Sequence, residues 1–433
     1  MPALGEEPAD HRPERDDQAD QYTHDPRSPG TVADGRGIGP QACAGLKSGR
    51  MAGGRAGCGI GARSVDECGA ARKVRRAARR SVEMHCVVTG AAGFIGFHLA
   101  RRLLADGHRV TGIDGLTDYY DVGLKRARLR ALEGPGFANH VGLLEEPGFF
   151  ARVMDQARPD ILVHLAAQAG VRYSLENPAS YVAANVVGTF EVLEGLRAHP
   201  VRHALLASTS SVYGGNDRVP FRETDPVARP VSLYAASKVA GESMAHAYAH
   251  LWRIPTTAFR FFTVYGPWGR PDMAVFVFTK RILAGEPVEV FDHGRAARDF
   301  TYIDDLIESI VRLIDRPPGG APVSESDSLS PVAPFRVVNI GGGNPATVSD
   351  LLDGLEAALG RRATRLLRDL PPGDVPLTQA ETGLLRDLIG YAPATPLREG
   401  VAAFVDWYRA YHANGPDADA AGLRASRRVD TSE

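Results

Sequence analysis

The sequence predicts an α/β fold with a doubly wound parallel sheet and a smaller C-terminal domain. From residue 84 onward, short apolar segments typical of buried strands alternate with helical segments. This alternation indicates a parallel sheet, because each parallel strand needs a crossover connection that is usually helical. A glycine-rich turn joins the first strand to the first helix. After about residue 262 the alternation weakens, which predicts a second, smaller unit.

The predicted strands are short and mostly apolar. The first, His85–Thr89, leads through the glycine-rich turn into a helix with Ile95, Leu99 and Leu103 on one face. Later strands are predicted at 109–113, 161–165, 203–207, 256–260 and 337–340. Residues 316–334, rich in Pro, Ser and Gly, are expected to form a linker or surface loop, and helices are predicted at 348–359 and 398–411.

Residues 1–83 differ from the rest of the chain. They are rich in Gly, Ala, Arg, Asp and Pro and contain few large apolar residues. Such a segment buries too little surface to offset its ordering entropy, so we expect a disordered extension. A second polar tail is expected at 413–433. The basic stretch at 72–80 is interpreted as solvated, the alternatives being a nucleic-acid or lipid contact or natural translation from Met84.

Composition argues against several classes of partner and site. The 433 residues include 50 basic and 52 acidic side chains, a net charge of -2, so neither nucleic acid nor membrane is an expected partner. We find no apolar run of about eighteen residues and no apolar core near the charged N-terminus. The cysteines, at 43, 58, 68 and 86, fit no zinc pattern, so no metal is expected. We therefore expect a cytoplasmic protein.

The glycine-rich turn carries Gly90, Gly93 and Gly96, with Phe94 and Ile95 between the last two. Such a turn lets the backbone approach a pyrophosphate and directs a helix N-terminus at it. The spacing G-x-x-G-x-x-G differs from the usual G-x-G-x-x-G, and a tight turn without a ligand is the alternative for the glycines alone.

Asp114 supplies the second half of the nucleotide signal. It lies 18 residues after Gly96, at the end of the next predicted strand. A carboxylate at this position accepts hydrogen bonds from a free ribose diol and repels a 2′-phosphate. The sequence therefore predicts NAD rather than NADP as cofactor, although Asp114 alone could be a turn residue.

A tyrosine and a lysine four residues apart form the predicted catalytic pair. Tyr234 and Lys238 would lie on one face of a helix. A phenol has a pKa of about 10, and a nearby ammonium group can lower it by about 1–3 units. The pair could then deprotonate a hydroxyl while hydride leaves its carbon. The hydroxyl cluster at 208–211 follows a predicted strand and would open into the same crevice, the alternative being an ordinary Ser/Thr-rich loop.

From about residue 84 to 411 the chain resembles the extended short-chain dehydrogenases, which have a Rossmann-type fold. It is similar in particular to the UDP-glucuronate 4-epimerases. The resemblance is carried by VTGAAGFIGF at 88–97, HLAAQAGVRYS at 164–174, RFFTVYGPWGRPDMA at 260–274 and RDFTYIDD at 298–305. It implies an NAD-binding domain over 84–262, whose core also receives later segments, and a mainly UDP-sugar-binding domain over 263–412. It also implies a homodimer formed through the Tyr–Lys helix.

The resemblance implies roles for individual residues. The cofactor site would comprise Gly90, Gly93, Phe94, Ile95, Gly96, Asp114, Ala166, Ala167, Asn185, Tyr234 and Lys238. The catalytic residues would be Thr209, Tyr234 and Lys238. The substrate site would comprise Ser210, Ser211, Thr263 and Arg270 at the sugar carboxylate, with Arg298 at the diphosphate and Asp374 at the uridine ribose.

Two positions depart from the family pattern. The family usually has Asp-Leu after its third strand, reaching toward the adenine, where this chain has Val-Gly-Leu-Leu-Glu at 141–145. Pro371 replaces a residue that is commonly polar or basic. Both substitutions predict altered contacts, one with adenine and one with the uridine diphosphate.

The predicted reaction is C4 epimerisation of a UDP-sugar through a 4-keto intermediate. The substrate that the sequence favours is UDP-glucuronate, which would be converted to UDP-galacturonate. Related decarboxylases and dehydratases usually have an acidic residue where this chain has Ser211. Neutral-hexose epimerases typically have Asn in place of Thr263 and have no need of Arg270. These two enzyme classes remain the alternatives, together with a catalytically idle NAD-sensing scaffold.

Overall fold

The computed structural model describes residues 83–371 and 373–415. The predicted disordered extension 1–83 lies outside this range except for Glu83, and the predicted polar tail 413–433 lies outside it from residue 416 onward. Residues 413 and 414 belong to the last helix, Leu397–Asn414. Within the described ranges, no helix is both long and apolar enough to cross a membrane.

A seven-stranded parallel sheet forms the centre of the fold. Its strands are β1 (His85–Thr89), β2 (Arg109–Asp114), β3 (Phe137–Val141), β4 (Ile161–His164), β5 (His203–Thr209), β6 (Thr256–Phe261) and β11 (Phe335–Ile340). They are arranged in the order β11-β6-β5-β4-β1-β2-β3. The predicted doubly wound fold is therefore confirmed. The direction of winding reverses between β1 and β4, and in such sheets ligands bind beyond the carboxyl ends of the strands at this point.

Helices cover both faces of the sheet. They are α1 (Phe94–Ala105), α2 (Val122–Leu132), α3 (Phe149–Ala157), α4 (Tyr173–Glu176), α5 (Pro178–Tyr181), α6 (Gly188–Ala198), α7 (Leu233–Trp252), α8 (Ala274–Ala284), α9 (Ile303–Ile314), α10 (Val348–Leu359), α11 (Gly383–Ile389) and α12 (Leu397–Asn414). Alternate residues of β1 point to opposite faces. Cys86 and Val88 belong to one apolar cluster and Val87 to another, so each face has its own core.

Three small strand pairs lie in the C-terminal part of the chain. They are β7 (Thr263–Tyr265) with β10 (Phe300–Tyr302), β8 (Val288–Phe291) with β13 (Arg365–Arg368), and β9 (Ala297–Arg298) with β12 (Ala346–Thr347). Between them the chain returns to the central sheet as β11, which begins two residues before the predicted strand. Residues 316–334 form neither helix nor strand.

Candidate active site

A cavity of about 920 Å³ opens beyond the carboxyl ends of the central strands. Nearly all of the residues singled out from the sequence line it. They are Gly90, Gly93, Phe94, Ile95, Gly96, Asp114, Ala166, Ala167, Thr209, Ser210, Ser211, Tyr234, Lys238, Thr263, Arg270, Arg298 and Asp374. Asn185 is the exception among them.

The glycine turn between β1 and α1 is closely packed. Gly90 has a φ of +73°, and a Cβ placed on it would lie 2.9 Å from the amide nitrogen of Ala166. A Cβ on Gly96 would lie 2.0 Å from the carbonyl oxygen of Gly90. Gly93 caps α1 without a side-chain hydrogen bond, so no side chain competes for the first amides of the helix. The turn therefore fits a dinucleotide pyrophosphate.

Gly96→Ala is expected to abolish NAD binding and to lower thermal stability. Its methyl group would overlap the Gly90 carbonyl oxygen and force the turn open. NAD titration and a melting curve would check this, with Gly320→Ala as the matched control because Gly320 has open space around it. Retention of NAD affinity by Gly96→Ala would contradict the proposed pyrophosphate cradle.

Asp114 is held at the end of β2 by two backbone amides. Its carboxylate accepts hydrogen bonds from Ala92 at 3.0 Å and from Leu116 at 2.9 Å. These bonds fix its orientation and leave lone pairs for a ribose diol. Leu143 and Glu145, in the segment that departs from the family pattern, line the cavity where the resemblance implies that the adenine binds.

Asn185 lies behind the cavity in a π-helical turn, Val182–Val187. Its amide oxygen accepts a hydrogen bond from the Gln168 amide at 2.8 Å. Its amide nitrogen donates to the Gln168 carbonyl and the Ser237 hydroxyl, both at 2.9 Å. Asn185 thus joins the loop after β4 to the helix that carries Tyr234 and Lys238, a supporting position rather than a cavity-lining one.

Tyr234 and Lys238 lie in the first two turns of α7, which Ser232 caps by accepting a hydrogen bond from Ala235 at 3.1 Å. Burial lowers the pKa of Lys238 to about 8, against the opposing effect of the Glu242 carboxylate. Burial raises the pKa of Tyr234, and the hydrogen bond with Thr209 and the charge of Arg270 offset this only in part. The protein alone therefore keeps the phenol protonated, and the lowering expected from the sequence requires a further positive charge.

For the epimerisation that the sequence predicts, kcat is expected to fall as pH rises through about 8. Below this value Lys238 is an ammonium ion that can stabilise a phenolate, and above it the amine is neutral. A kcat profile across the alkaline range would test this, with circular dichroism at each pH as a control for unfolding. A flat profile up to the ordinary lysine pKa would contradict the assignment.

Glu242, one turn after Lys238, was not identified from the sequence. Arg260 donates to both of its carboxylate oxygens, at 3.0 and 2.8 Å, in a buried ion pair. Ser208 donates to the same carboxylate. This network joins α7 to the ends of β5 and β6, and thereby fixes the strand end that carries Thr209.

The hydroxyl cluster after β5 forms a short helical turn. Thr209 caps it, accepting a hydrogen bond from the Ser211 amide at 3.2 Å and donating to the Ser211 hydroxyl at 3.2 Å. Ser210 lines the cavity beside them. The cluster offers several hydroxyl groups to a polar ligand on the side of the cavity shared with Tyr234.

Arg270 is oriented by an aspartate that the sequence analysis did not assign. Its guanidinium group donates to both oxygens of Asp272, at 3.0 and 2.5 Å. The Tyr119 hydroxyl donates to the same carboxylate at 3.0 Å. All three residues line the cavity, together with Thr263 at the start of β7. A guanidinium group held in this way can bind a carboxylate through its remaining donors.

Two arginines flank Asp374 at the far end of the cavity. Arg172 donates to its carboxylate at 3.2 Å, and Arg298 lies 3.9 Å from the other oxygen. The Arg172 guanidinium group also lies 4.3 Å from the centre of the Phe291 ring. The carbonyl of Pro371 accepts the Asp374 amide at 3.2 Å, so this departure from the family pattern supports the turn through its backbone.

The match to known proteins is extensive. A family model described as NAD dependent epimerase/dehydratase family covers residues 86–341, more than half of the chain. The chain belongs to this family. The matched segment includes the glycine turn, the Tyr–Lys helix and Arg270, while Asp374 lies beyond it.

Several epimerases are similar over most or nearly all of their length. A probable UDP-glucuronate 4-epimerase of Rhizobium meliloti is 52% identical, over 75% of this chain and 97% of the relative. UDP-glucuronate 4-epimerase 1 of Arabidopsis thaliana is 43% identical, over 79% and 81%. The crystal structure of a Bacillus cereus UDP-glucuronic acid 4-epimerase with UDP-glucuronic acid and NAD superposes with a TM-score of 0.68, at 32% identity, over 76% and 99%.

Four residues in or beside the predicted site were not identified from the sequence. Arg172 and Asp272 lie within motifs that carry the family resemblance, but no role was assigned to them. Their position in these motifs could have identified them as candidates. Glu242 could have been found as the next residue on the Lys238 face, four positions on. Phe291 belongs to no motif that we identified.

Proposed function

We propose that this chain is an NAD-dependent UDP-glucuronate 4-epimerase, which interconverts UDP-glucuronate and UDP-galacturonate through a 4-keto intermediate. The observation that supports this most directly is the position of Arg270. An oriented guanidinium group lines the same cavity as Tyr234 and the hydroxyl cluster. An uncharged hexose would not need this cation, whereas a uronate would.

The proposed chemistry assigns proton transfer to the chain itself. Bound NAD supplies reversible hydride exchange with C4 and adds the positive charge that favours the Tyr234 phenolate. Tyr234, directly or through Thr209, takes the proton of the C4 hydroxyl and later returns it. Lys238 stabilises the phenolate. The keto sugar must turn over between the two hydride transfers so that the opposite face of C4 meets the cofactor.

The sugar carboxylate is proposed to bind Arg270, Thr263 and the Ser210–Ser211 pair. A 4-keto uronic acid is a β-keto acid and can lose carbon dioxide when the breaking bond aligns with the carbonyl π-system. Charge-assisted hydrogen bonds would hold the carboxylate out of that alignment. The absence of a carboxyl group at Ser211 also leaves no acid there to assist an elimination.

The UDP moiety is proposed to bind at the opposite end of the cavity. Arg298 and Arg172 provide cations for the diphosphate, and Asp374 provides a carboxylate for the uridine ribose. We propose, as the sequence predicted, that NAD binds to residues 84–262 and that the UDP-sugar binds mainly to residues 263–412.

The deciding experiment is incubation of the full-length protein with UDP-glucuronate, followed by NMR of the product. UDP-galacturonate is the expected product. UDP-xylose would identify a decarboxylase instead, and an unchanged substrate would contradict the proposal. A parallel incubation with UDP-glucose separates the uronate epimerase from a neutral-hexose epimerase, since we expect little UDP-galactose.

We also propose that the protein is a cytoplasmic homodimer. Val182, Val187 and Phe190 are exposed near and on α6, as are Leu251 and Trp252 at the end of α7. The two helices pack together, and this apolar surface would be covered by the same helices of a second copy.

Phe190→Asp is expected to yield a monomer in sedimentation. Unchanged sedimentation, or a monomeric unsubstituted protein, would contradict the proposed interface.

A further inference from the structure

Arg128 on α2 is a fully buried arginine with an unusual set of partners. Its guanidinium group donates to the carbonyl oxygens of Ala92, Trp268 and Gly269 at 2.9, 2.6 and 3.1 Å, and to the Tyr120 hydroxyl at 2.8 Å. Among the described residues it forms no ion pair with a carboxylate. Its Nε has no hydrogen-bond partner.

The carbonyl partners belong to two different parts of the active site. Ala92 lies in the glycine turn, between Gly90 and Gly93. Trp268 and Gly269 immediately precede Arg270. One side chain therefore bridges the backbone of the NAD-binding turn and the backbone of the loop that carries the proposed carboxylate-binding arginine.

The loop needs such a partner because its backbone is unusual. Trp268 is a buried non-glycine residue with a φ of +59°, a conformation that costs free energy unless its surroundings enforce it. Arg128 satisfies the two successive carbonyl groups at this position. The ring of Trp268 is fixed separately by packing against Phe97 and Trp407.

A second link joins the same two regions. His98, on the helix that follows the glycine turn, hydrogen-bonds the Pro267 carbonyl through Nε2 at 2.9 Å. Burial holds the pKa of His98 well below its ordinary value, so the ring is neutral and Nε2 is the donor. The loop at 266–270 is thus attached to the turn by Arg128 and to the following helix by His98.

The charge of Arg128 is costly to bury, and within the described chain no carboxylate forms an ion pair with it. It lies between the turn that would hold a pyrophosphate and the loop that would hold a sugar carboxylate. A buried guanidinium group in this position would be stabilised by either anion, and it would make the binding of one sensitive to the other.

We propose that Arg128 is a positioning residue that couples the NAD-binding turn to the loop carrying Arg270. This inference rests on the proposed function in so far as Arg270 binds a uronate. Its structural part, the coupling of turn and loop, does not depend on the identity of the sugar.

The kinetic test compares Arg128→Lys with Arg336→Lys. Lysine keeps the positive charge, but its ammonium group lacks the planar arrangement of donors that lets a guanidinium group bind three carbonyl groups at once. Arg336 is a matched control, since it is buried in an ion pair with Asp327 at 2.9 Å and does not line the cavity.

We expect Arg128→Lys to raise the KM for UDP-glucuronate by about tenfold to a hundredfold. We also expect a larger fraction of decarboxylated product, which a general loss of stability would not cause. Equal KM and product ratio in the two variants would overturn the proposal.

The second readout uses hydrogen exchange and needs no substrate. In the unsubstituted protein, NAD is expected to slow amide exchange in residues 266–270, and Arg128→Lys is expected to remove this protection while Arg336→Lys keeps it. Absence of NAD-induced protection in the unsubstituted protein would overturn the coupling even if the lysine variant failed to fold. If the protein did not convert UDP-glucuronate, the proposed function would fail while this measurement would still decide the coupling.

Discussion

Tyr234→Phe is expected to reduce the turnover of UDP-glucuronate by about 10²–10⁴-fold, the range typical of general acid–base catalysis. Phenylalanine keeps the ring that packs edge-on against Tyr181 at a centroid distance of 6.0 Å, so the cavity should keep its shape. Only the group that exchanges a proton with the C4 hydroxyl is removed. Product formation measured by NMR, together with NAD affinity, would show whether chemistry alone is affected.

Tyr248→Phe is the matched control for this change. Tyr248 lies on the same helix, but its hydroxyl hydrogen-bonds Glu194 away from the cavity. We expect the control to retain turnover. Comparable activity in Tyr234→Phe and the control would remove Tyr234 from the mechanism and would favour a scaffold without catalysis.

Arg270→Met is expected to lower kcat/KM for UDP-glucuronate by about 30-fold or more, because truncating one member of a buried charged pair costs about 2–5 kcal/mol. The carboxylate of the keto intermediate would also lose its main anchor. A decarboxylated sugar nucleotide should therefore accompany the remaining epimerisation. Both products can be quantified in one NMR time course.

The single variant leaves Asp272 without its cation, facing an anionic substrate. The double variant Arg270→Met/Asp272→Asn removes the repulsion between Asp272 and the substrate. It therefore shows how much of the effect comes from the loss of the Arg270 contact alone. We expect the double variant to recover part of the binding affinity but none of the protection against carbon dioxide loss. Unaltered kcat/KM and product ratio in Arg270→Met would show that the uronate is held elsewhere.

The sequence was informative about the sheet because six of its strands are apolar and buried. The strand β3 was not predicted from its own residues, and only the family resemblance implied a strand before residue 141. Phe-Ala-Asn-His-Val occupies the sheet edge, and all five residues are at least partly exposed. The two-residue strands β9 and β12 were also missed. Their pairing depends on tertiary contacts between distant segments, and such short strands carry no periodic pattern.

The candidate site was predictable where one residue type performs a recognisable chemical task. Glycines at a strand-to-helix turn and a Tyr–Lys pair are of this kind. The roles of Asp272, Glu242 and Arg128 depend instead on which groups the fold brings beside them. Arg128 is the clearest example, since its carbonyl partners lie 36 residues before it and 140 and 141 residues after it along the chain.

The pairing of Arg270 with Asp272, and of Arg172 and Arg298 with Asp374, has a consequence for how a sugar nucleotide arrives. Arg270 is paired with Asp272 at one end, Arg172 and Arg298 share Asp374 at the other, and along the whole cavity six basic side chains face six acidic ones. Long-range attraction of an anion depends on net charge, so diffusional capture gains little from steering. The encounter rate should accordingly vary only weakly with ionic strength, and selection among anionic nucleotides would occur after entry, by exchange of ion-pair partners.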